Sequence, residues 1–365
     1  MAFIKKPISE TVNFLKPAIK PLNYSIQPKQ RGNKLKKILL YFFVSLIIAV
    51  AGFSFRIVIS SNEASRNFKG GGILTQLKNL LIKKDDDLAG LKEDRINILA
   101  LGIGGENHPG PFLTDTIILI SIKPKDKQVA MISIPRDLYL NTQNFGGAKI
   151  NALYGLGEAQ GKNQGGELIK RAIAETFGIN IHYYARIDFS GFIELIDALG
   201  GVDIYVDQAF ADNQFPDNNF KTQTISFEAG KHHFDGSTAL KYARSRHGSN
   251  GEGSDFARAK RQQKIILSLK DKMLELGLLL RPDKINKIIQ ILGSSIATDM
   301  EIWELLKLSK LASGISNDNI IQKVLDDSPN GELRPITGID GAFLLIPKNK
   351  QKLESIAQNI FQITK

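Results

Sequence analysis

The stretch 96-INILALGIGGENHPGPFLTDTIILISIKPKDKQVAMISI-134 contains three short apolar runs that are rich in β-branched residues. The runs cover 96–103, 117–122 and 129–134, and a glycine-rich loop and a lysine-rich turn separate them. Apolar runs of this length, bounded by Gly, Pro and Asp, predict buried β-strands. The stretch therefore predicts the centre of a sheet that is covered on its faces.

Helical patterns and a further strand at 202–206 follow this stretch. Apolar residues three and four positions apart are typical of helices that bury one face. On this spacing we predict helices at 166–178, 190–201, 256–276, 283–293 and 301–314. Because strands and helices alternate, we predict an α/β fold, arranged as an α-β-α sandwich over residues 95–330. Residues 331–365 are predicted to form a C-terminal extension.

Composition limits the function classes. The chain has 365 residues, 42% of them hydrophobic, and a formal net charge of +11. This length allows one large domain or two medium ones. The positive charge predicts a polyanionic partner, either nucleic acid or an anionic membrane and its phospholipids. Cysteine is absent, which excludes disulfides, thiolate zinc sites and a cysteine nucleophile.

The N-terminal part of the chain predicts a membrane anchor. The segment 38-ILLYFFVSLIIAVAGFSF-55 runs for eighteen residues without a charge, long enough to cross a bilayer as a helix within 35–60. A cleavable signal peptide is the alternative, but no small-residue cleavage site clearly follows. Lys and Arg dominate the charges before the segment, so the positive-inside rule places residues 1–34 in the cytoplasm as a basic tail. Residues 61–94 are predicted to be a linker outside the cell.

Two pairs of arginines flank a glycine-rich loop in 240-LKYARSRHGSNGEGSDFARAKRQQKIIL-267. In an extended segment, Arg244 and Arg246 would project to the same side, each offering a fork suited to phosphate. On the helix that follows, Arg258 and Gln262 continue the apolar stripe, and Arg261 flanks them. The alternatives are a strand of surface ion pairs for the first pair and a solvated helix face for the second. We predict that the four arginines form one pyrophosphate site, because the predicted extracellular location removes chromosomal DNA.

Further polar groups lie at the ends of the predicted strands. Arg136 and Asp137 follow the third strand, at the edge where α/β sheets place ligand sites. The loop after the first strand carries Glu106 and His108 and leads to Asp115. A carboxylate beside clustered arginines can hold Mg²⁺ against phosphate or accept a proton from a hydroxyl. Each of these signals is weak alone, since glycine-rich loops and aspartates at strand starts are common.

In combination and in this order, these motifs resemble the LytR-CpsA-Psr family of bacterial cell-envelope glycopolymer ligases. The resemblance covers roughly residues 95 to 275, about half of the chain. The matching stretches are 113-LTDTIIL-119, 132-ISIPRD-137, 149-KINALYGLG-157, 188-DFSGFIELIDALGGVDIYV-206, 235-DGSTALKYARSRH-247 and 255-DFARAKRQQ-263.

The resemblance implies an α-β-α fold that holds a polyprenyl pyrophosphate in an apolar pocket. It implies transfer of a lipid-linked glycopolymer, of teichoic acid or capsule type, to peptidoglycan with the help of Mg²⁺ or Mn²⁺. It also implies roles for residues of this sequence. Asp115, Arg136 and Arg244 would be catalytic, Asp115 would engage the metal, and the pyrophosphate would be bound by Arg136, Arg244, Arg246, Arg258, Arg261 and Gln262.

This sequence departs from the family pattern at two positions. Gly104 stands where the family has its first aspartate, and Leu113 stands where a basic residue is expected before Asp115. The departures put the usual metal coordination in doubt. Glu106, His108 or Asp137 could supply the missing ligand, or Asp115 and the pyrophosphate could hold the metal alone.

The predicted protein is thus a single-pass membrane phosphotransferase with an extracellular catalytic domain. Its predicted partners are a polyprenyl-pyrophosphate-linked glycan, a peptidoglycan acceptor and the bilayer, without nucleic acid. A pyrophosphatase side activity is compatible with the same site. The alternative is a non-catalytic binder of polyprenyl phosphates or an envelope regulator, because of Gly104. A nucleic-acid-binding regulator would require the domain to be cytoplasmic.

Overall fold

The structure is a computed structural model that describes residues 87–106, 108–142, 146–161, 164–217, 221–276, 295–300, 304, 307–308, 311 and 314–363. The predicted cytoplasmic tail, the transmembrane helix, the linker up to residue 86 and the helix at 283–293 lie outside the described residues. Most of the helix predicted at 301–314 lies outside them as well. Within the described ranges, no helix combines the length and the apolar content needed to cross a bilayer.

Six strands form the central sheet, in the order β11-β6-β1-β2-β3-β12. They are β1 (Ile96–Ile103), β2 (Thr114–Lys123), β3 (Gln128–Ser133), β6 (Tyr183–Asp188), β11 (Ile296–Thr298) and β12 (Ile320–Val324). The three strands predicted from the opening stretch are confirmed and pair antiparallel in series. β6 joins β1 and β12 joins β3 in parallel, so the sheet is mixed. β2 begins earlier than predicted, so Asp115 lies inside a strand instead of before it.

Among the described residues, six α-helices cover the sheet and its edges. They are α1 (Ile150–Gln160), α2 (Gln164–Phe177), α3 (Phe189–Ala198), α4 (Gly236–Arg244), α5 (Asp255–Glu275) and α6 (Lys350–Gln358). α2 lies on one face, where a Cβ at Gly166 would come within 2.2 Å of the Tyr184 ring. The neighbouring residue Ala185 points to the opposite face, where it lines a cavity together with residues of α3, α4 and α5. The described helices therefore lie on both faces of the sheet, as an α-β-α arrangement requires.

The described residues also form four two-stranded ribbons. They pair β4 (Tyr139–Thr142) with β5 (Gly146–Lys149), β7 (Val202–Val206) with β10 (Gly230–Phe234), β8 (Phe210–Pro216) with β9 (Thr222–Phe227), and β13 (Leu333–Thr337) with β14 (Phe343–Pro347). The strand predicted at 202–206 is confirmed as β7.

The segment that the sequence analysis set apart at 331–365 packs into the same core as the preceding residues. Leu333, Leu345, Leu353 and Ile360 are buried members of the core cluster that also contains the central strands. Arg95 donates a 2.8 Å hydrogen bond from Nη1 to the backbone carbonyl of residue 358, at the end of α6. The described C-terminal residues are therefore part of the domain and not a separate extension.

Candidate functional site

A cavity of about 520 Å³ lies between one face of the sheet and helices α3, α4 and α5. This volume is typical of a pocket for a small-molecule or lipid ligand. Much of its wall is apolar and comes from the sheet and the helices: Ala100, Ile118, Ile120, Phe189, Phe192, Leu195, Leu240, Ile265, Ile266 and Leu269. A long apolar chain could be held along this wall.

Charged groups line the same cavity around two carboxylates, Asp115 on β2 and Asp255 at the start of α5. The lining includes Arg136, Arg244, Arg246 and Arg258, with Asp115, His108 and Gln262. Asp255 accepts from Arg246 Nε at 2.7 Å and lies 3.4 Å from Arg258 Nη2. The structure therefore brings together most of the residues that the sequence analysis assigned to one site.

Arg258 is placed by the first turn of α5. The hydroxyl of Ser254 accepts from the backbone N–H of Ala257 at 3.0 Å and caps the helix immediately before this turn. Arg258 is only 7% exposed, its Nη2 contacts are long at 3.4 Å, and its Nε has no hydrogen-bond partner. Burial lowers the pKa of Arg258 to about 10, and Arg136 and Arg246 add to this effect. The guanidinium is still protonated at neutral pH and has unused hydrogen-bonding capacity.

Arg136 faces Asp115 across the end of the sheet. Its Nη1 donates to Asp115 Oδ1 at 2.6 Å, and its Nε is buried without a hydrogen bond. Burial by itself would lower the pKa of Arg136, but the nearby carboxylates, Asp115 first among them, more than offset burial and raise it. Arg136 is thus a permanently charged donor at the cavity.

Arg244 is the last residue of α4, which corrects the prediction of an extended segment. The helix forms because Asp235 caps its start and apolar residues bury one face, and it ends at Ser245. The Arg244 guanidinium carbon lies 4.5 Å from the ring centre of Phe189 and 5.5 Å from that of Phe215. Burial lowers its pKa. Two aromatic faces therefore hold this cation in a fixed plane.

Arg261 is not brought to the cavity, which corrects its assignment as a phosphate ligand. Its guanidinium donates to the backbone carbonyls of Tyr242 at 3.0 Å and Ser245, and it forms an ion pair with Glu252. It is 2% exposed, and burial lowers its pKa. Arg261 ties the end of α4 and the following loop to α5. It therefore fixes the end of α4 relative to α5 and does not line the cavity.

Two of the four predicted metal ligands, Glu106 and Asp137, do not line the cavity. Asp137 accepts from Lys149 Nζ at 2.8 Å, and Glu106 is exposed; neither lines the cavity. In the part of the chain that the structure describes, no three His, Cys, Asp or Glu side chains are grouped to hold a metal ion. Asp115 and His108 remain, but Arg136 already donates to one oxygen of Asp115, and His108 Nδ1 lies 2.9 Å from the carbonyl oxygen of Pro109. This set of donors does not fit a resident divalent cation.

Sequence reasoning missed two acidic residues that organise the arginines. Asp255 bridges three of them, and although burial raises the pKa of Asp255, Arg258 and its neighbours lower it overall. Asp212 accepts from Ser245 Oγ at 2.7 Å and from the backbone N–H of Arg246 at 3.1 Å. For Asp255, the sequence did contain a signal: it lies three residues before Arg258 at a helix start, a spacing that brings the two side chains together. Asp212 lies on a distant strand, and nothing near it in the sequence indicates this contact.

The family model described as the LytR_cpsA_psr family matches residues 69–357, well over half of the chain. A relative from Oceanobacillus iheyensis, named polyisoprenyl-teichoic acid–peptidoglycan teichoic acid transferase TagU, is 33% identical over 227 residues. The alignment covers 62% of this chain and 66% of that protein, just under two thirds of its length.

Solved structures agree with the fold. The crystal structure of B. subtilis TagV is 26% identical, covers 74% of this chain and 98% of its own, and has a TM-score of 0.54. A structure of the family protein TagT with bound octaprenyl pyrophosphate lipid is 20% identical, with 77% and 95% coverage and a TM-score of 0.53, and shows the fold alone. The resemblance found in the sequence is thus confirmed: the chain belongs to the LytR-CpsA-Psr family.

Proposed function

We propose that this protein transfers a glycopolymer, of teichoic acid or capsule type, from a polyprenyl pyrophosphate carrier to peptidoglycan at the outer face of the membrane. The observation that supports this most directly is one cavity that combines an apolar wall with five arginine side chains: Arg136, Arg186, Arg244, Arg246 and Arg258. A small polar metabolite would use the arginines but not the extended apolar wall. A pyrophosphate that carries a long apolar chain would use both, with its phosphates at the arginines and its chain along the apolar wall.

The arginine cluster has more donors than the described protein groups satisfy. Among the described residues, the Nε atoms of Arg136 and Arg258 have no hydrogen-bond acceptor, and Arg244 Nη2 lies at a long 3.4 Å from His108 Nε2. Buried donors without acceptors are unfavourable, and a native structure tolerates them where a ligand supplies the acceptors. Pyrophosphate oxygens are suited to guanidinium forks, which bind them through paired, charge-assisted hydrogen bonds.

The relatives support the same proposal. The name of TagU states transfer of polyisoprenyl-linked teichoic acid to peptidoglycan. TagT shares the fold and holds an octaprenyl pyrophosphate lipid. We infer that the cavity of this chain receives the same class of lipid.

In the proposed reaction, a hydroxyl oxygen of peptidoglycan attacks the glycan-side phosphorus. The bond from that phosphorus to the bridging oxygen breaks, and polyprenyl phosphate leaves with the electron pair. Asp115 would accept the hydroxyl proton, since it contacts Arg136 and Arg258, which would hold the pyrophosphate. Arg136, Arg244 and Arg258 would stabilise the negative charge that develops on the phosphate oxygens.

The test uses the full-length protein in detergent with a polyprenyl-pyrophosphate-linked glycan and peptidoglycan fragments. The expected result is glycan attached to peptidoglycan together with released polyprenyl phosphate, both abolished in Arg244→Ala. Tight lipid binding with neither product would instead support a non-catalytic binder, the alternative that Gly104 raises. Release of polyprenyl phosphate without transfer would identify a pyrophosphatase.

A further inference from the structure

The space beside Gly104 contains the imidazole of His108. A Cβ at residue 104 would lie 2.6 Å from both Cγ and Nδ1 of His108, closer than real side chains approach. No side chain fits at position 104 unless the imidazole moves. His108 therefore fills the volume that the aspartate of the family pattern would enter.

Contacts on three sides fix the His108 ring. Its Nδ1 lies 2.9 Å from the carbonyl oxygen of Pro109, and since a carbonyl only accepts, Nδ1 carries the hydrogen. In the neutral imidazole, Nε2 then has a free lone pair, and Arg244 Nη2 lies 3.4 Å from it. The ring also meets Phe189 edge-on at 5.2 Å, and Arg244 stacks on the same Phe189 ring. His108 and Phe189 together define the position of Arg244.

The carboxylates that line the cavity are already paired with protein donors. Asp115 accepts from Arg136. Asp188 caps α3 through the N–H of Gly191 at 2.9 Å, and Asp212 accepts from Ser245. A divalent cation would have to displace one of these donors and would enter a region crowded with guanidinium groups. Replacing an aspartate by an imidazole removes the negative charge that would offset this repulsion.

We propose that His108 replaces the family aspartate as a positioning residue for Arg244, and that the site binds a pyrophosphate head group through guanidinium groups without a divalent cation. This inference rests on the proposed function, because it takes the same lipid head group as the ligand. It departs from the Mg²⁺ or Mn²⁺ dependence that the family resemblance implies.

Calorimetry on the full-length protein in detergent tests the inference, with farnesyl pyrophosphate as the probe. Binding is measured once with EDTA and once with saturating Mg²⁺. The dissociation constants should agree within about twofold, a difference well under 1 kcal/mol. Binding that requires Mg²⁺ would overturn the inference and leave the proposed function intact. Binding in neither buffer would overturn both.

Variants separate the role of His108 from general folding. His108→Ala should weaken binding about fivefold in both buffers, the equivalent of one hydrogen bond, with an unchanged Tm. His108→Gln should restore most of the affinity, because its amide oxygen can accept from Arg244. Glu106→Gln is the matched control, since this exposed carboxylate lies outside the cavity. Wild-type affinity in His108→Ala would contradict the positioning role.

The double variant Gly104→Asp with His108→Gly rebuilds the family arrangement. It frees the space beside residue 104 and adds a carboxylate at the position where the family pattern has its aspartate. Binding by this variant should be about tenfold tighter with Mg²⁺ than with EDTA, in the range that a single coordinating group contributes. Equal Mg²⁺ dependence in the wild type and the double variant would show that His108 does not replace the aspartate.

Discussion

Arg258 is the most deeply buried arginine that lines the cavity. Because its donors are poorly satisfied by the protein, most of its hydrogen-bonding capacity is available to a ligand. Arg258→Ala should weaken farnesyl pyrophosphate binding about tenfold to a hundredfold, as expected for one charge-assisted interaction. Calorimetry measures the affinity, and Arg334→Ala, which removes an exposed arginine on β13, is the control. Equal losses of affinity in the two variants would indicate that the net charge of the protein, and not the cavity, attracts the lipid.

Arg261 lies only three residues further along the chain but should behave differently. Arg261→Ala leaves the Glu252 carboxylate and three backbone carbonyls, those of Tyr242, Ser245 and Glu252, without their donor. Loss of one partner from a buried charged pair costs about 3 kcal/mol of unfolding free energy, which lowers Tm by several degrees. Thermal unfolding of this variant beside Arg258→Ala is the measurement. If Arg261→Ala kept the wild-type Tm and lost lipid binding, Arg261 would have to be a ligand group.

At the scale of elements, Asp212 connects the ribbon strand β8 to the turn that follows α4. Burial would raise its pKa, but hydrogen bonds from Ser245 and from the N–H groups of His247, Gln214 and Arg246 lower it overall. A lowered pKa means that the folded state prefers the carboxylate. The stabilisation is therefore complete above the ordinary aspartate pKa of 3.8 and is lost as pH falls through the folded value.

Asp212→Asn should accordingly reduce the pH dependence of stability. The free energies of unfolding of the variant and the wild type, measured in urea, should differ most above about pH 5. This difference should shrink towards pH 3. Asp87→Asn removes an exposed aspartate and serves as the control. A difference that stays constant between these pH values would mean that Asp212 acts through its shape and not through its charge.

Local patterns in the sequence were enough to predict the elements that depend on them. The buried strands from Ile96 to Ser133 are continuous apolar runs, and the phase of α5 placed Arg258 and Gln262 on its cavity side. Contacts between distant segments were not predictable in this way. The two-residue spacing of Arg244 and Arg246 suggested an extended segment, although buried residues of α4 continue its helix to Arg244. Besides the Glu252 carboxylate, the acceptors of Arg261 are backbone carbonyls, which no residue type reveals.

The site beside Gly104 shows the same limit. The sequence revealed that the family aspartate is missing, and it left several replacements open. Only the path of the loop between β1 and β2 brings the His108 ring into the empty volume. His108 lies four residues after Gly104 in the sequence, and it reaches this space only because of how the loop folds. No spacing rule predicts such a contact.

At the scale of the whole molecule, the proposed reaction requires the domain to lie outside the cell, because both the lipid-linked glycan and peptidoglycan are there. The basic residues before the apolar segment 38–55 predict this orientation. Protease added to intact cells, after the wall has been removed, should digest the domain and leave an N-terminal tag intact. Inside-out vesicles should give the opposite pattern. Digestion of the domain only in inside-out vesicles would place its arginines in the cytoplasm, where nucleic acid becomes the polyanion that explains the net charge of +11.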